Sequence, residues 1–366
     1  MALCALVPQG AHSETNWSVA PSVSVSERRD DNLFSRSEAP EQDWITGLAP
    51  ALMFSGRSLR WSFEAGYRQE AERYADHPQL DTASARREAS LRWESRATRT
   101  LDTTVTASYL QTTTASDLYA SSGLDFGRLP ARRLQLTPAL AQGLSRTTTL
   151  LADLTATRDE IVGISTLDSA VAGMRLNHRI SPRGQLWVRG QARWYEPGED
   201  PGFTSQLLAV GYRHEISRGL ELSFDVGPSF SRGDLGAEWL GSLHSRGRRA
   251  EWAIEWGQGE NPVIGVATPV VTRRLGASVS GSARALRGRL AVDLLRSRGG
   301  VEADTVQASA EANLRLAEPL AVALATAWSR QRGGVRAAYP GDIRHFVTEL
   351  RLVVEPRRRR GDVDVR

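Results

Sequence analysis

The sequence contains no lysine, one cysteine and no long apolar run, and each absence narrows what the chain can be. A lone Cys4 excludes an intrachain disulfide and any cysteine-built metal cluster. The longest apolar stretch, Pro319 to Ser329, is bounded by Glu318 and Arg330. It falls short of the ~20 residues that a membrane-spanning helix needs, so a helical membrane protein is excluded. All 46 cations are arginine, set against 42 carboxylates, and the net charge of +4 is spread along the chain. No compact basic helix or arm points to nucleic acid. The arginine bias is what a GC-rich coding sequence gives, and it carries little functional weight. A length of 366 residues allows two or three ordinary domains or one large barrel.

What the chain does have is alternation. The segment Leu59 to Arg68 puts Leu59, Trp61, Phe63, Ala65 and Tyr67 on one face, and Arg60, Ser62, Glu64, Gly66 and Arg68 on the other. Side chains repeat every two residues along a strand, so such a segment is amphipathic only as β-structure. Leu186 to Trp194, Leu220 to Phe230, Ala250 to Trp256 and Val306 to Leu314 repeat the pattern, and a helical period fits none of them. The connections then distinguish a membrane barrel from a soluble sandwich. Long gaps such as Glu27–Gln42, Gln69–Ala83, Thr112–Ala131, Gln258–Val270 and Arg330–Gly341 alternate with short ones such as Ser55–Arg57, Gly143–Ser145 and Ala317–Glu318. The gap Ser231–Leu235 is the weakest of the long set.

Long loops on one side and tight turns on the other are the pattern of outer-membrane barrels. The expected fold is all-β: a transmembrane antiparallel up-and-down barrel of about 18 strands, with short periplasmic turns and long extracellular loops. Strands of ~9–11 residues suit a tilted crossing, and closure leaves no edge unpaired in lipid. The aromatics fit two interfacial belts, with Trp44, Tyr67, Trp194 and Trp328 toward the loops and Phe54, Trp61 and Trp93 toward the turns. The barrel is expected over residues 16–356. Residues 1–15 read either as the rear half of a secretory signal or as an ordinary N-terminus. Residues 357–366 form an arginine-rich tail, whose Arg360-Gly361-Asp362 triplet reads as chance.

If the apolar faces meet outer-membrane lipid, the polar faces line the lumen. The candidate lining residues are Arg60, Glu64, Arg68, Arg92, Arg175, Arg189, Arg193, Glu221, Asp225, Glu251 and Glu255. Mixed arginines and carboxylates on such a wall suit passage of a hydrated solute, including an anionic one that arginine can pair bidentately. For each residue taken singly, the plainer reading is a salt-bridge lattice that stiffens the wall. Chemistry is thinly signalled. His77 sits in a loop beside Pro78, and His178, His214 and His244 fall near turn-side ends; no spacing marks a serine–histidine–carboxylate set. Asp30-Asp31-Asn32 lacks the ligand spacing of a calcium loop. No enzyme activity, cofactor or metal is expected.

The opening third carries a family resemblance. Trp17 to Val25, followed by Arg29-Asp30-Asp31-Asn32-Leu33-Phe34, then Trp44 to Pro50, Tyr67, and Tyr74-Ala75-Asp76-His77-Pro78, resembles the start of a family of β-barrel porins found with exopolysaccharide loci. The resemblance covers about residues 16–110 and is only architectural beyond. It implies export of capsule or exopolysaccharide, as in exosortase-associated and myxobacterial systems, with the polymer and periplasmic export proteins as partners. The barrel assembly machinery is a further expected partner. Here the chain departs from the common pattern: the last strand, with Phe346, Leu350, Leu352 and Val354, runs into Pro356 rather than ending on an aromatic. The leading expectation is a polysaccharide export porin; the alternatives are a diffusion porin for small solutes and a structural or adhesive barrel.

Overall fold

The computed structural model describes residues 15–118, 124–125, 127–198, 201–264, 266, 268–334 and 342–354. All but the last residue of the expected N-terminal stretch 1–15, and all of the expected tail 357–366, lie outside them. The strands are β1 (Asn16–Asp30), β2 (Asp43–Arg57), β3 (Trp61–Tyr74), β4 (Thr82–Arg96), β5 (Leu101–Thr112), β6 (Ala131–Gly143), β7 (Thr148–Ile161), β8 (Ser165–Arg179) and β9 (Gly184–Pro197). They continue as β10 (Phe203–Ser217), β11 (Leu220–Ser231), β12 (Asp234–Arg246), β13 (Ala250–Asn261), β14 (Val270–Ala283), β15 (Leu286–Gly299), β16 (Glu302–Arg315), β17 (Leu320–Gly334) and β18 (Asp342–Val354). Each pairs antiparallel with its chain neighbours in one 18-stranded sheet. β1 closes on β18, with Val23 opposite Val354 and Asp30 opposite Val347.

Closure explains why so many large apolar side chains stay exposed. Val19, Leu52, Leu134, Met174, Val188, Leu208, Val226, Leu290, Leu324 and Leu350 all stand on the outer face with more than a third of their surface open. Without water to satisfy backbone groups, only a ladder closed on itself can sit behind such a belt, and the belt itself is solvated by lipid. Near the turns, Trp17 stacks on Phe54 at 5.2 Å and meets Trp61 at 5.4 Å, while Phe54 meets Phe63 edge-on at 5.8 Å. These rings form a turn-side girdle on the outside of β1–β3.

Two expectations change. The strands are 12 to 15 residues long rather than 9–11. The expected length measured only the apolar belt; the ladder runs on past it with polar residues, as in Glu27–Asp30 and Gln69–Tyr74. Tyr67 therefore sits in mid-strand, opposite Leu52 and Ala89, and not at the loop-side rim. The gap Ser231–Leu235 is no loop at all. Arg232 and Gly233 hold φ of 51° and 88°. Two successive left-handed residues make the two-residue turn whose twist matches the flanking strands, and Gly233 adopts it without a Cβ penalty.

Candidate functional site

Inside the barrel the register puts polar residues of neighbouring strands side by side. On the β3–β4 wall, Glu64 pairs with Arg92 and Arg68 with Glu88. Glu64 is exposed there, Arg68 lies 3.4 Å from Glu70, and Arg92 holds Glu94. Arg189 reaches Asp225 at 2.6 Å, and Arg193 reaches Glu238 at 2.6 Å and Glu260 at 3.7 Å. Glu221 pairs with Arg213 at 3.1 Å, Glu251 with Arg246 at 3.1 Å and Glu255 with Arg274 at 3.7 Å. Arg60 alone of the candidate residues lies on no strand: it stands in the turn between β2 and β3, because β3 begins at Trp61.

Arg175 is held differently. Its guanidinium lies 4.0 Å over the ring of Trp187, and its Nε donates to Asn177. Trp187 in turn donates its indole N–H to Asp225 at 2.7 Å. It is 5% exposed, although it stands on the inward face of β9 among Arg189 and Arg193. The wall makes room for it at Gly211, where any Cβ would come within 2.1 Å of the indole. Sequence reading missed Trp187, because an aromatic among inward polar positions breaks the alternation. The paired glycine across the ladder is the signal that could have found it.

In the loop-side half of the lumen, the described residues of the β5–β6 loop, 113–118, 124–125 and 127–130, touch opposite walls. Its short 3-10 turn, Ala115–Leu118, buries Ala115 and Leu118 against Ile161, Leu167, Tyr195 and Phe203 on the β7–β10 wall, together with Ile264 of the β13–β14 loop. Farther along, Leu124 packs with Val263, Val266, Val270, Val301 and Ala303. Asp125 then reaches the opposite side. Its backbone N–H donates to Gln331 Oε1 at 2.7 Å, and its carboxylate accepts from Ser35 and Ser116, each at 2.8 Å. His345 of β18 lies 3.8 Å away and also bonds Asp30 at 2.8 Å. Burial acts to raise the Asp125 carboxyl, but His345, the Gly127 amide, Ser116 and Ser35 outweigh it and hold it at about 2. Arg128 completes the crossing: it lies 4.7 Å over the Tyr74 ring and 3.5 Å from Glu72. Glu72 also pairs with Arg28 at 2.6 Å.

One loop is thus fastened to walls that face each other across the barrel. The charged groups around it are nearly dry: side-chain exposure is 7% at Glu72, 9% at Arg193 and 8% at Glu260. Toward the turns the wall is wet, with Glu255 at 50% and Glu251 at 47%. The described lumen wall is therefore charged and dry in its loop-side half and charged and wet toward the turns.

The β1–β2 and β2–β3 loops are locked beside this crossing. His77 bonds Asp43 through Nδ1 at 2.7 Å and Glu41 through Nε2 at 3.0 Å. The bonds to Asp43 and then to Glu41 raise the imidazole above its ordinary range, against a small desolvation effect. The backbone amides of Ala75 and Asp76 also donate to Asp43, each at 3.0 Å. Buried Leu33, Ile45 and Tyr74, with Phe34 and Leu80, pack around the same corner.

No protein-family model matches the chain, and no curated protein matches its sequence. Solved structures do match in fold. OccAB4 of Acinetobacter baumannii superposes with a TM-score of 0.50 at 10% identity, over 94% of this chain and 98% of that one. OpdO of Pseudomonas aeruginosa gives 0.48 at 13%, over 92% and 96%, and OpdK of the same organism, solved with vanillate, gives 0.48 at 10%, over 92% and 98%. At such identities the likeness is one of fold. With the lipid-facing belt and the closed ladder, it places the chain as an 18-stranded antiparallel β-barrel of the outer membrane, the fold that OccAB4 has.

Proposed function

We propose that the chain is a non-enzymatic porin through which small hydrated solutes diffuse across the outer membrane. The observation that carries this reading is the β5–β6 loop, fastened to opposing walls so that it narrows the lumen while the wall below stays polar and wet. A constriction set by a folded-in loop sorts solutes by size, and mixed arginines and carboxylates on its rim replace part of a polar solute's hydration. The side chains that could otherwise suggest catalysis are engaged in structure: His77 and His345 each bond carboxylates that anchor loops. Polysaccharide export, the leading expectation from the resemblance, finds no support in the fold-level likeness. A polymer would also have to pass a loop tied to both walls.

Swelling of vesicles containing the purified barrel tests the proposal. Rapid swelling is expected in amino acids and monosaccharides, and little in oligosaccharides. Equal rates for long oligosaccharides and small sugars would overturn the small-solute reading in favour of polymer passage.

A further inference from the structure

The outer face of the barrel is not electrically uniform at its loop-side rim. On β14–β18, one or two outward register steps above the apolar belt, Arg273, Arg296, Arg298, Arg330, Arg332 and Arg344 all stand on the outer face. They follow the parity of exposed Leu275, Leu294, Trp328 and Phe346 on the same strands. The carboxylates among them are fewer, three against six: exposed Glu302 at the top of β16, and Asp304 and Asp342, which are each shared. Arg296 and Arg298 converge on one oxygen of Asp304 at 2.9 and 3.0 Å. Arg330 and Arg344 converge on Asp342, and Arg332 stands in register between Asp304 and Asp342. On the outer face of β6–β8 at the same height the charges balance instead, Arg132 with Glu160 and Arg158 with Asp168. The neighbouring rim of β10–β13 is neutral, carrying Thr204, Gln206, Phe230, Leu235 and Gln258.

We propose that this β14–β18 rim binds the phosphate groups of a phosphorylated glycolipid in the outer leaflet. The position selects the partner. An outward-facing residue just above the belt, at the loop end, lies among the headgroups of that leaflet and not in the lumen. Excess arginine there complements phosphate, which the planar guanidinium pairs bidentately. Leu275, Leu294, Trp328 and Phe346 immediately below offer the apolar surface along which acyl chains lie. Shared carboxylates hold the guanidinia in place without neutralising all of them, so the patch is ordered before the lipid arrives.

The test is binding of purified lipid A bearing two phosphates to the detergent-solubilised full chain, followed by native mass spectrometry. The test variant carries Arg273→Gln, Arg298→Gln, Arg332→Gln and Arg344→Gln, which keeps the Arg296–Asp304 and Arg330–Asp342 pairs. Each cation near a charged membrane surface is worth about a factor of five in affinity, so the variant should lose well over about tenfold. A control with Arg132→Gln and Arg158→Gln should bind as the parent does, and both variants should keep the heat-dependent gel shift of a folded barrel. Dephosphorylated lipid A should not be retained. Undiminished binding by the folded fourfold variant, an equal loss in the control, or equal retention of phosphatidylglycerol vesicle lipid would each overturn the assignment.

Discussion

At the scale of single residues, the barrel's interior is governed by where charges find partners. His77 is the clearest case. Its pKa is raised by Asp43 and Glu41, so the tie it makes is fully present below about 6.5, the ordinary histidine value, and is lost as pH rises through the higher folded value. Hydrogen exchange at the amides of Ala75 and Asp76 reads this directly, since both donate to the Asp43 carboxylate that His77 holds. Exchange corrected for intrinsic rate should quicken as the solution is taken from pH 6 to 9, and His77→Gln should show the fast behaviour throughout. A flat profile in the parent would remove His77 as the lock. Trp187 makes a related point. Its ring fills space that Gly211 leaves open and presents one face to Arg175. That contact was illegible in sequence, because alternation tells which side a residue faces and not what it meets there.

Elements obey the bilayer before they obey propensity. Val292 of β15 faces lipid at mid-strand, and its neighbour Ala291 faces the lumen opposite Ser278 and Ser309. Arginine at the lipid position should destabilise the folded barrel by about 2–4 kcal/mol in denaturant titrations from lipid vesicles, and Ala291→Arg by much less. Similar losses at both positions would contradict the inside–outside assignment. The order and facing of the strands were readable because one face must be apolar over the whole belt. Their ends were not, because beyond the belt polar residues occupy both faces and the period vanishes. The turn at Arg232-Gly233 was misread as a loop for a comparable reason: a five-residue gap in hydrophobicity contained only two residues without strand geometry.

For the whole molecule, closure and permeation are separate matters. Closure followed from the count and parity of the strands, and the sequence carried it. The fastening of this loop did not show in sequence: residues 113–130 carry apolar Leu118, Leu124 and Leu129, but what they and Asp125 meet depends on contacts far apart in the chain. Gln331 and Asp125, or Arg128 and Tyr74, meet only once the barrel is round. The same holds for the lumen wall. Arg189, Arg193, Asp225 and Glu255 share the polar parity of their strands in sequence, but their pairing with Glu238, Glu260 and Arg274 could not be read there. Single-channel conductance in planar bilayers shows whether the barrel is a channel narrowed by that loop. The parent should be compared with a chain carrying Asp125→Ala and Arg128→Ala. The parent should give discrete, uniform steps and the variant steps larger by about twofold or more, because a freed loop widens the narrowest section. A parent that inserts and does not conduct, or a folded variant with unchanged steps, would contradict that reading.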